Sequence, residues 1–316
     1  MYDVVAMGEL LIDFTPIKKE SDKAPTFEQN PGGAPANVLA MNSILGGKTG
    51  FIGKVGDDEF GHFLKKVIED VNINASGLVM AEDVHTTLAF VHLSDNGERS
   101  FSFYRKPGAD MMLEEKEIKK ELIDNCNIFH FGSVSLTDEP CRSTTISAVK
   151  YAKCKGKIIS YDPNYRKAIW NTPENARKEI LEVMPLADIV KISYEEMEFL
   201  FGITDINEGI EKIKRMGVSL VLISMGDKGA YYSNENATGL VEAFKMDSID
   251  TTGAGDAFLG AIHYKIRSKS LHDIQKMEKD EMEQILLFAN AAGGITTLKK
   301  GAIPAMPNED QINETV

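Results

Sequence analysis

Apolar residues recur along this chain in two rhythms. Between Asp58 and Val71, the apolar positions Phe60, Phe63, Leu64, Val67, Ile68 and Val71 are spaced i, i+3, i+4, i+7, which predicts a helix with one buried stripe. Elsewhere they gather in short runs: Ile128 to Phe131, Lys157 to Tyr161, Asp188 to Ile192 and Leu220 to Ser224. Each run is followed by a polar or glycine-containing turn and then a helix-like segment. Runs of that length without polar alternation predict strands covered on both faces. The expected fold is therefore α/β, a doubly wound and mainly parallel sheet with helices on both faces.

One region departs from this rhythm. Thr86 to Leu93 and Glu98 to Arg105 both read as strands, and Ser94, Asp95, Asn96 and Gly97 between them favour a hairpin turn. No helical pattern is available to cover this pair, so it predicts a small antiparallel β lid that closes over a ligand, meets a partner subunit, or does both. Lid strands are expected in the stretches 12–31 and 86–105. No internal repeat or long linker divides the chain, so residues 1–316 are expected to form a single domain. The polar residues after Met306 are expected to form no more than a short terminal helix.

Composition narrows the setting. Hydrophobic residues make up 43% and charged residues 26% of the chain, near globular averages, and no apolar run reaches the length of a membrane span. Met1 leads directly into an apolar run from Val4 to Ile12, without the basic start and cleavage site of a signal peptide. The three cysteines, Cys126, Cys141 and Cys154, are odd in number and show no CxxC spacing, which points to reduced thiols rather than disulfides or zinc. A soluble cytoplasmic protein is expected. The net charge of −13 counts against extended nucleic-acid binding but permits a small phosphorylated ligand held in a local pocket.

The strongest chemical signal is Asp250-Thr251-Thr252-Gly253-Ala254-Gly255-Asp256-Ala257-Phe258, at the mouth of a predicted helix. Small residues let a ligand approach the backbone, and the free amides of a first helical turn form an anion site. The candidate donors are the amides of Ala254, Gly255 and Asp256, with Gly253 shaping the turn. An aspartate beside a transferring phosphoryl group can take the proton of an attacking hydroxyl, which makes Asp256 the candidate base. Read alone, the string also allows Asp250 or Thr252 to act as a simple helix cap.

The whole string resembles the second signature of the ribokinase-like carbohydrate kinase family. A first signature also fits, with Gly32-Gly33-Ala34-Pro35-Ala36-Asn37 ahead of a helix and Gly53-Lys54-Val55-Gly56-Asp57-Asp58-Glu59-Phe60-Gly61 after it. Further matches run nearly end to end: Gly8-Glu9 with Asp13, Phe103-Tyr104-Arg105, Asp162-Pro163-Asn164-Tyr165-Arg166 and Gly301-Ala302-Ile303-Pro304-Ala305-Met306-Pro307. Within the family the likeness is closest to bacterial and plant fructokinases. The resemblance implies ATP-dependent phosphorylation of a sugar's primary hydroxyl, with D-fructose giving D-fructose 6-phosphate. Kinases for 2-keto-3-deoxygluconate or a riboside are the enzymatic alternatives, and a sugar-sensing binding protein is the non-catalytic one.

Residue roles follow from the resemblance. Asp13, Gly33 and Asn37 are expected at the sugar hydroxyls. Phe101, Phe103 and Arg105 alternate along a lid strand, share one face and are expected over the sugar. Arg166 is expected at substrate or phosphate, with an exposed ion pair as the alternative. Magnesium is expected on the ATP phosphates, approached by Glu196 through water. Ser193 stands where many relatives carry asparagine, and a helix-capping serine explains it equally well. Ser224, Gly226 and Gly229 resemble the family's nucleotide-binding loop, and Asn290 and Gly293 its adenine-pocket wall. The resemblance leaves open a K+ site near Asp250 and Thr252, and it implies a homodimer formed through the lids.

Three patterns are set aside. Gly46-Gly47-Lys48-Thr49 lacks the earlier glycine of a P-loop and follows a helix instead of opening one. No GxGxxG string follows the first strand, and the six histidines show no metal-ligand spacing.

Overall fold

The computed structural model describes residues 1–17, 26–93 and 99–316, with the side chains of residues 92, 93 and 99–101 left aside. The strands in chain order are β1 (Tyr2–Met7), β2 (Leu11–Ile17), β3 (Thr26–Gly32), β4 (Thr49–Gly56), β5 (Ile73–Ala81), β6 (Leu88–Leu93) and β7 (Arg99–Tyr104). They continue as β8 (Cys126–Gly132), β9 (Ile158–Asp162), β10 (Ile189–Ser193), β11 (Leu220–Ser224), β12 (Ala230–Ser233) and β13 (Thr238–Val241). The helices are α1 (Ala34–Ile44), α2 (Glu59–Asp70), α3 (Lys120–Asp124), α4 (Cys141–Cys154), α5 (Pro173–Val183) and α6 (Tyr194–Phe201). After them come α7 (Ile206–Lys214), α8 (Ala254–Ile266), α9 (Leu271–Gln275), α10 (Lys279–Thr296) and α11 (Glu309–Asn313).

Nine strands form the main sheet in the order β13-β12-β11-β10-β9-β8-β1-β4-β5. From β11 to β5 every pairing is parallel, whereas β12 and β13 return antiparallel at one edge. The unbroken apolar runs have the cause expected of them. In β1, Val4 and Ala6 enter one core while Val5 and Met7 enter the other. Likewise Leu220 and Leu222 of β11 face the first core, and Val221 and Ile223 the second. Helices α1, α2, α8 and α10 cover one face, and α3 to α7 the other.

The predicted stripe on α2 is present. Leu64 and Ile68 are fully buried, and Phe60, Phe63, Val67 and Val71 pack at the margin of the same core. Asp58 caps the helix by accepting the Gly61 N–H at 2.8 Å. The apolar stretch from Val4 to Ile12, in contrast, serves two sheets. β1 ends at Met7 in the main sheet, and β2 starts at Leu11 in a second one.

That second sheet has the order β3-β2-β6-β7. β6 and β7 pair antiparallel, as do β2 and β3, but β2 and β6 run parallel. The expected antiparallel pairing is present within each half of the lid, and the one parallel join arises where two strand pairs far apart in the chain meet side by side. Residues Ser94 to Gly97, the expected turn, lie outside the described residues. One face of this sheet carries an aromatic cluster in which Phe14 stacks on Phe90 at 4.7 Å and Phe27 and Tyr104 meet Phe90 edge-on. The opposite face, with Leu11, Asp13, Val91 and Phe103, turns toward a cavity.

Candidate active site

The cavity measures about 750 Å³ and lies where both sheets meet. Glu9 follows β1, Ser193 closes β10 and Ser224 closes β11, so the carboxyl edge of the parallel sheet forms one wall. Open α/β sheets bind ligands at that edge. Residues at or before the first turns of α1, α6 and α8 also reach the cavity, as Ala34, Ser193 and Gly253 are among its lining. Three helix starts at one place give a positive field suited to an anion, although the Ala34 N–H of α1 donates to Glu9 at 2.9 Å and the Glu196 N–H of α6 to Ser193 at 3.1 Å.

Two glycines make these starts possible. Gly33 precedes α1 at φ 124, and a Cβ there would lie 2.4 Å from the carbonyl oxygen of Glu9. Gly253 precedes α8 at φ 77, where a Cβ would lie 2.5 Å from that of Ala302. Neither Asp250 nor Thr252 caps α8. Asp250 instead accepts the Thr252 N–H at 3.0 Å, the Thr252 hydroxyl at 2.7 Å and the Gly301 N–H at 3.1 Å. This ties the loop before α8 to the loop after α10.

Asp256 lies in the first turn of α8, 5% exposed, and lines the cavity. Its Oδ2 accepts from Asn37 Nδ2 at 2.8 Å and its Oδ1 from Asn164 Nδ2 at 3.0 Å. Burial raises its proton affinity, and the charge of Asp162 adds to that. Asn37, Lys191 and Arg166 counter it. The amides of Gly255 and Asp256 have no acceptor among the described residues, consistent with an open first turn. The Ala254 N–H is different, because it donates to the Thr251 carbonyl at 3.3 Å, and Ala254 does not line the cavity. Of the three expected donors, two remain.

Beside Asp256 runs a buried charged cluster. Lys191 Nζ donates to Asp162 Oδ2 at 2.9 Å. Burial alone would lower the Lys191 pKa, but Asp162, Glu196 and Asp256 around it hold it above the ordinary lysine value. Glu196 accepts the Tyr165 N–H at 2.6 Å and the Ser193 N–H at 2.7 Å, and Ser193 Oγ accepts the Glu196 N–H at 3.1 Å. Ser193 is therefore a capping-box serine, the alternative left open by its sequence. Burial and Asp162 raise the Glu196 pKa, and Lys191 with the two backbone N–H groups opposes the rise.

The other wall belongs to the lid and to the first strands. Asp13 projects from β2, its pKa pushed up to about 6 by burial, with Arg166 lowering it and Asp250 and Asp256 raising it. Asn37 keeps its Oδ1 buried and without a hydrogen-bond partner among the described residues. Phe103 lines the cavity, while Phe101 pairs with Val91 through the backbone and its side chain lies outside the described residues. Arg105 also lines the cavity but is anchored. Its Nε donates to Asp110 at 2.7 Å, and its other nitrogens reach Thr137 at 2.8 Å and the Val134 carbonyl at 3.1 Å. Arg166 is exposed at the rim, with its Nη1 3.4 Å from the Tyr165 carbonyl.

Several expected residues stand elsewhere. Ser224 is on the wall, but Gly226 and Gly229 shape the turn beyond it, where the Met225 N–H donates to the Gly229 carbonyl at 2.8 Å. Asn290 is engaged in holding β13, donating to Val241 at 3.0 Å and to Glu242 at 3.1 Å. A Cβ on Gly293 would meet the Ala254 carbonyl at 2.9 Å, so this glycine serves the close packing of α10 on α8. The reverse also occurs: Glu9, Asn164 and Lys191 line the cavity without an expected role, although Glu9 and Asn164 stand in strings that carry the resemblance. Lys191 carried a usable signal, because a lysine inside the apolar run Ile189 to Ile192 must have a buried partner.

The profile of the pfkB family carbohydrate kinases matches residues 1–309. Fructokinase-1 of Zea mays is 45% identical over 318 residues, spanning 99% of this chain and 97% of the relative. Among solved structures, the fructokinase of Xylella fastidiosa with bound ATP superposes with a TM-score of 0.91 at 30% identity, covering 100% of this chain and 98% of the other. The fructokinase of Vibrio cholerae O395, with fructose, ADP and calcium ion, gives 0.88 at 32% identity over 99% of this chain and 98% of the other.

Proposed function

The chain belongs to the pfkB family of carbohydrate kinases, and from that premise we propose that residues 1–316 act as one kinase domain that moves the γ-phosphoryl group of ATP to the 6-hydroxyl of D-fructose. The enzyme is an ATP-dependent sugar kinase, as its similarity to fructokinases over nearly the whole chain supports. A single observation carries the mechanism: a buried carboxylate, held by two amides, at the mouth of a helix where the N–H groups of Gly255 and Asp256 have no acceptor among the described residues.

Fructose lies between Asp13, Gly33 and Asn37 on one side and the lid residues Phe101, Phe103 and Arg105 on the other. The anchoring of Arg105 by Asp110 presets its remaining N–H groups for a sugar oxygen. ATP enters along Ser193, Ser224 and the start of α8, with Arg166 at the rim neutralising phosphate charge. Gly226 and Gly229 act through the turn they build, and Asn290 and Gly293 through the wall that α10 supports. As the sugar oxygen bonds to the γ-phosphorus, its proton passes to Asp256 and the bond to the β-phosphate oxygen breaks, releasing ADP. The amides of Gly255 and Asp256 receive the charge that builds on the phosphoryl oxygens.

Magnesium fits this wall in a limited way. Glu196 and Ser193 offer only oxygen donors there, and no group of three acidic, histidine or cysteine side chains among the described residues could enclose an ion. Such a wall suits an ion held chiefly by phosphate and water, with Glu196 meeting its water shell. When bound, magnesium screens the charge of the triphosphate. A potassium site near Asp250 and Thr252 is supported by the hydroxyl hydrogen of Thr252 pointing to Asp250, which leaves the threonine oxygen as a donor to a cation. Equal rates in potassium and in tetramethylammonium exclude it.

The aromatic face of the lid, half-buried at Phe14, Phe27 and Phe90 but 67% exposed at Tyr104, supports a homodimer through the lids. A monomeric mass by light scattering refutes that arrangement. Free Cys126, Cys141 and Cys154 support residence in the reducing cytoplasm. The kinase reading is tested by ADP release against fructose, ribose, glucose, 2-keto-3-deoxygluconate and nucleosides. Fructose should give the highest kcat/KM, and preference for a riboside or the ketodeoxy acid overturns the assignment of substrate.

A further inference from the structure

Asn164 follows Pro163 in the loop after β9 and sits at φ 48, in the left-handed region. Asparagine tolerates that region better than most side chains, but only glycine occupies it without strain. Such a conformation persists where the surroundings impose it. Here the Asn164 N–H donates to Asp162 Oδ1 at 3.1 Å, while the other oxygen of Asp162 accepts from Lys191 at 2.9 Å. The side chain is thereby aimed at Asp256, donating to its Oδ1 at 3.0 Å.

The geometry of the carboxylate gives this contact its meaning. An ionised carboxylate offers about four acceptor positions, and Asn37 and Asn164 take one on each oxygen. Two positions remain, and two amides on opposite oxygens fix the plane of the group. With one amide alone the terminal torsion of aspartate is broad. Resting on the kinase reading above, we propose that Asn164 is a positioning residue for phosphoryl transfer. Its side-chain amide holds the Asp256 carboxylate in the orientation that presents a lone pair to the sugar hydroxyl, and the Asp162–Lys191 pair holds Asn164.

The charged groups around Asp256 are Asp162 from β9, Lys191 from β10, Arg166 from the loop after β9 and Asp13 from β2, with Glu196 of α6 behind Lys191. Removing a hydrogen bond to the charged form raises the pKa of the base. The test compares Asn164→Gly and Asn164→Asp with the wild-type enzyme. The glycine variant relieves the backbone strain while deleting the amide. Its thermal midpoint and fructose KM should stay near wild type, and kcat should fall on the order of tenfold to hundredfold. The acid limb of its kcat/KM profile should move to higher pH. The aspartate variant keeps size and shape but places a like charge against the base, so its acid limb should move further and its kcat should be no higher.

A glycine variant with wild-type kcat and an unmoved acid limb overturns the role, as does a change confined to KM. Wild-type turnover by the aspartate variant overturns it as well, and that variant decides the matter should the glycine form fail to fold. Absence of fructose-dependent ADP release by the wild-type enzyme would instead sink the kinase reading itself.

Discussion

Replacing Asp256 by Asn removes the proton acceptor while keeping the volume of the side chain. General-base catalysis contributes about 10²–10⁴ in rate, equivalent to roughly 3–5 kcal/mol of barrier. The structure adds a second consequence. An asparagine at 256 has one oxygen to accept from Asn37 or Asn164, and its own NH2 group then faces the amide of the other. A buried donor left without an acceptor costs about 1–3 kcal/mol.

An opposing effect comes from the charge itself. Burial and Asp162 raise the pKa of Asp256 above the ordinary 3.8, so the ionised form weighs against folding. For a carboxyl with a raised folded-state pKa, the favourable contribution is complete below the unfolded pKa and is lost as pH rises through the folded one. At neutral pH a neutral amide escapes that loss, and the two effects partly cancel. The variant should therefore unfold near the wild-type midpoint and bind fructose within a few-fold of wild type by calorimetry, while ADP release falls by the full catalytic factor. Turnover within about tenfold of wild type would refute Asp256 as the base.

Gly33→Ala should cost roughly 2–4 kcal/mol in urea unfolding, because it combines a left-handed φ with a Cβ 2.4 Å from the Glu9 carbonyl. An unchanged urea midpoint would show that the turn relaxes freely. Glu9 is buried, and burial pushes its pKa from 4.5 up to about 7. The stability it contributes is thus present below pH 4.5 and is lost as pH rises past about 7, by roughly 3 kcal/mol at most. Glu9→Gln keeps an oxygen for the Ala34 N–H and should raise the thermal midpoint at pH 8 but not at pH 4.5, and a lower midpoint at pH 8 contradicts this. Lys191→Met leaves Asp162 charged and buried, which should cost about 3–5 kcal/mol; denaturant titration that finds no loss removes the pair from the framework.

The sequence made legible what is local and periodic. The stripe on α2, the buried strands β8 to β11 and the turn at the start of α8 each lie within a short window, so spacing alone exposes them. The parallel join of β2 to β6 lies outside any such window, since it pairs Ile12 with Leu88 and Phe14 with Phe90. The first apolar run, read as continuous from Val4 to Ile12, divides between the two sheets at Met7 and Leu11, just ahead of residue 12 where the lid was expected to begin. Glycine is ambiguous in another way. Gly226, Gly229 and Gly293 are needed for a turn and a helix crossing, and the alphabet does not separate those needs from ligand approach.

Around the proposed base, buried charges carry a signal of their own in the sequence. Lys191 and Asp162 interrupt or end buried apolar strands, and the energetic cost of placing a charge there requires an opposite charge nearby. Two such residues on adjacent parallel strands, β9 and β10, predict a pair at the carboxyl edge, the same edge where the cavity opens. Asn164 carries its signal only as part of the string Asp162 to Arg166, because an asparagine after proline otherwise reads as an ordinary turn. Its importance arises only when α8, from the far end of the chain, brings Asp256 within 3.0 Å of its amide. The chemistry of the proposed base is therefore written locally around Gly253 to Asp256, whereas the hydrogen bonds to its carboxylate join segments 92 and 219 residues apart. Substitutions at Asn37 and Asn164 should accordingly alter turnover more than they alter the stability of α8 itself.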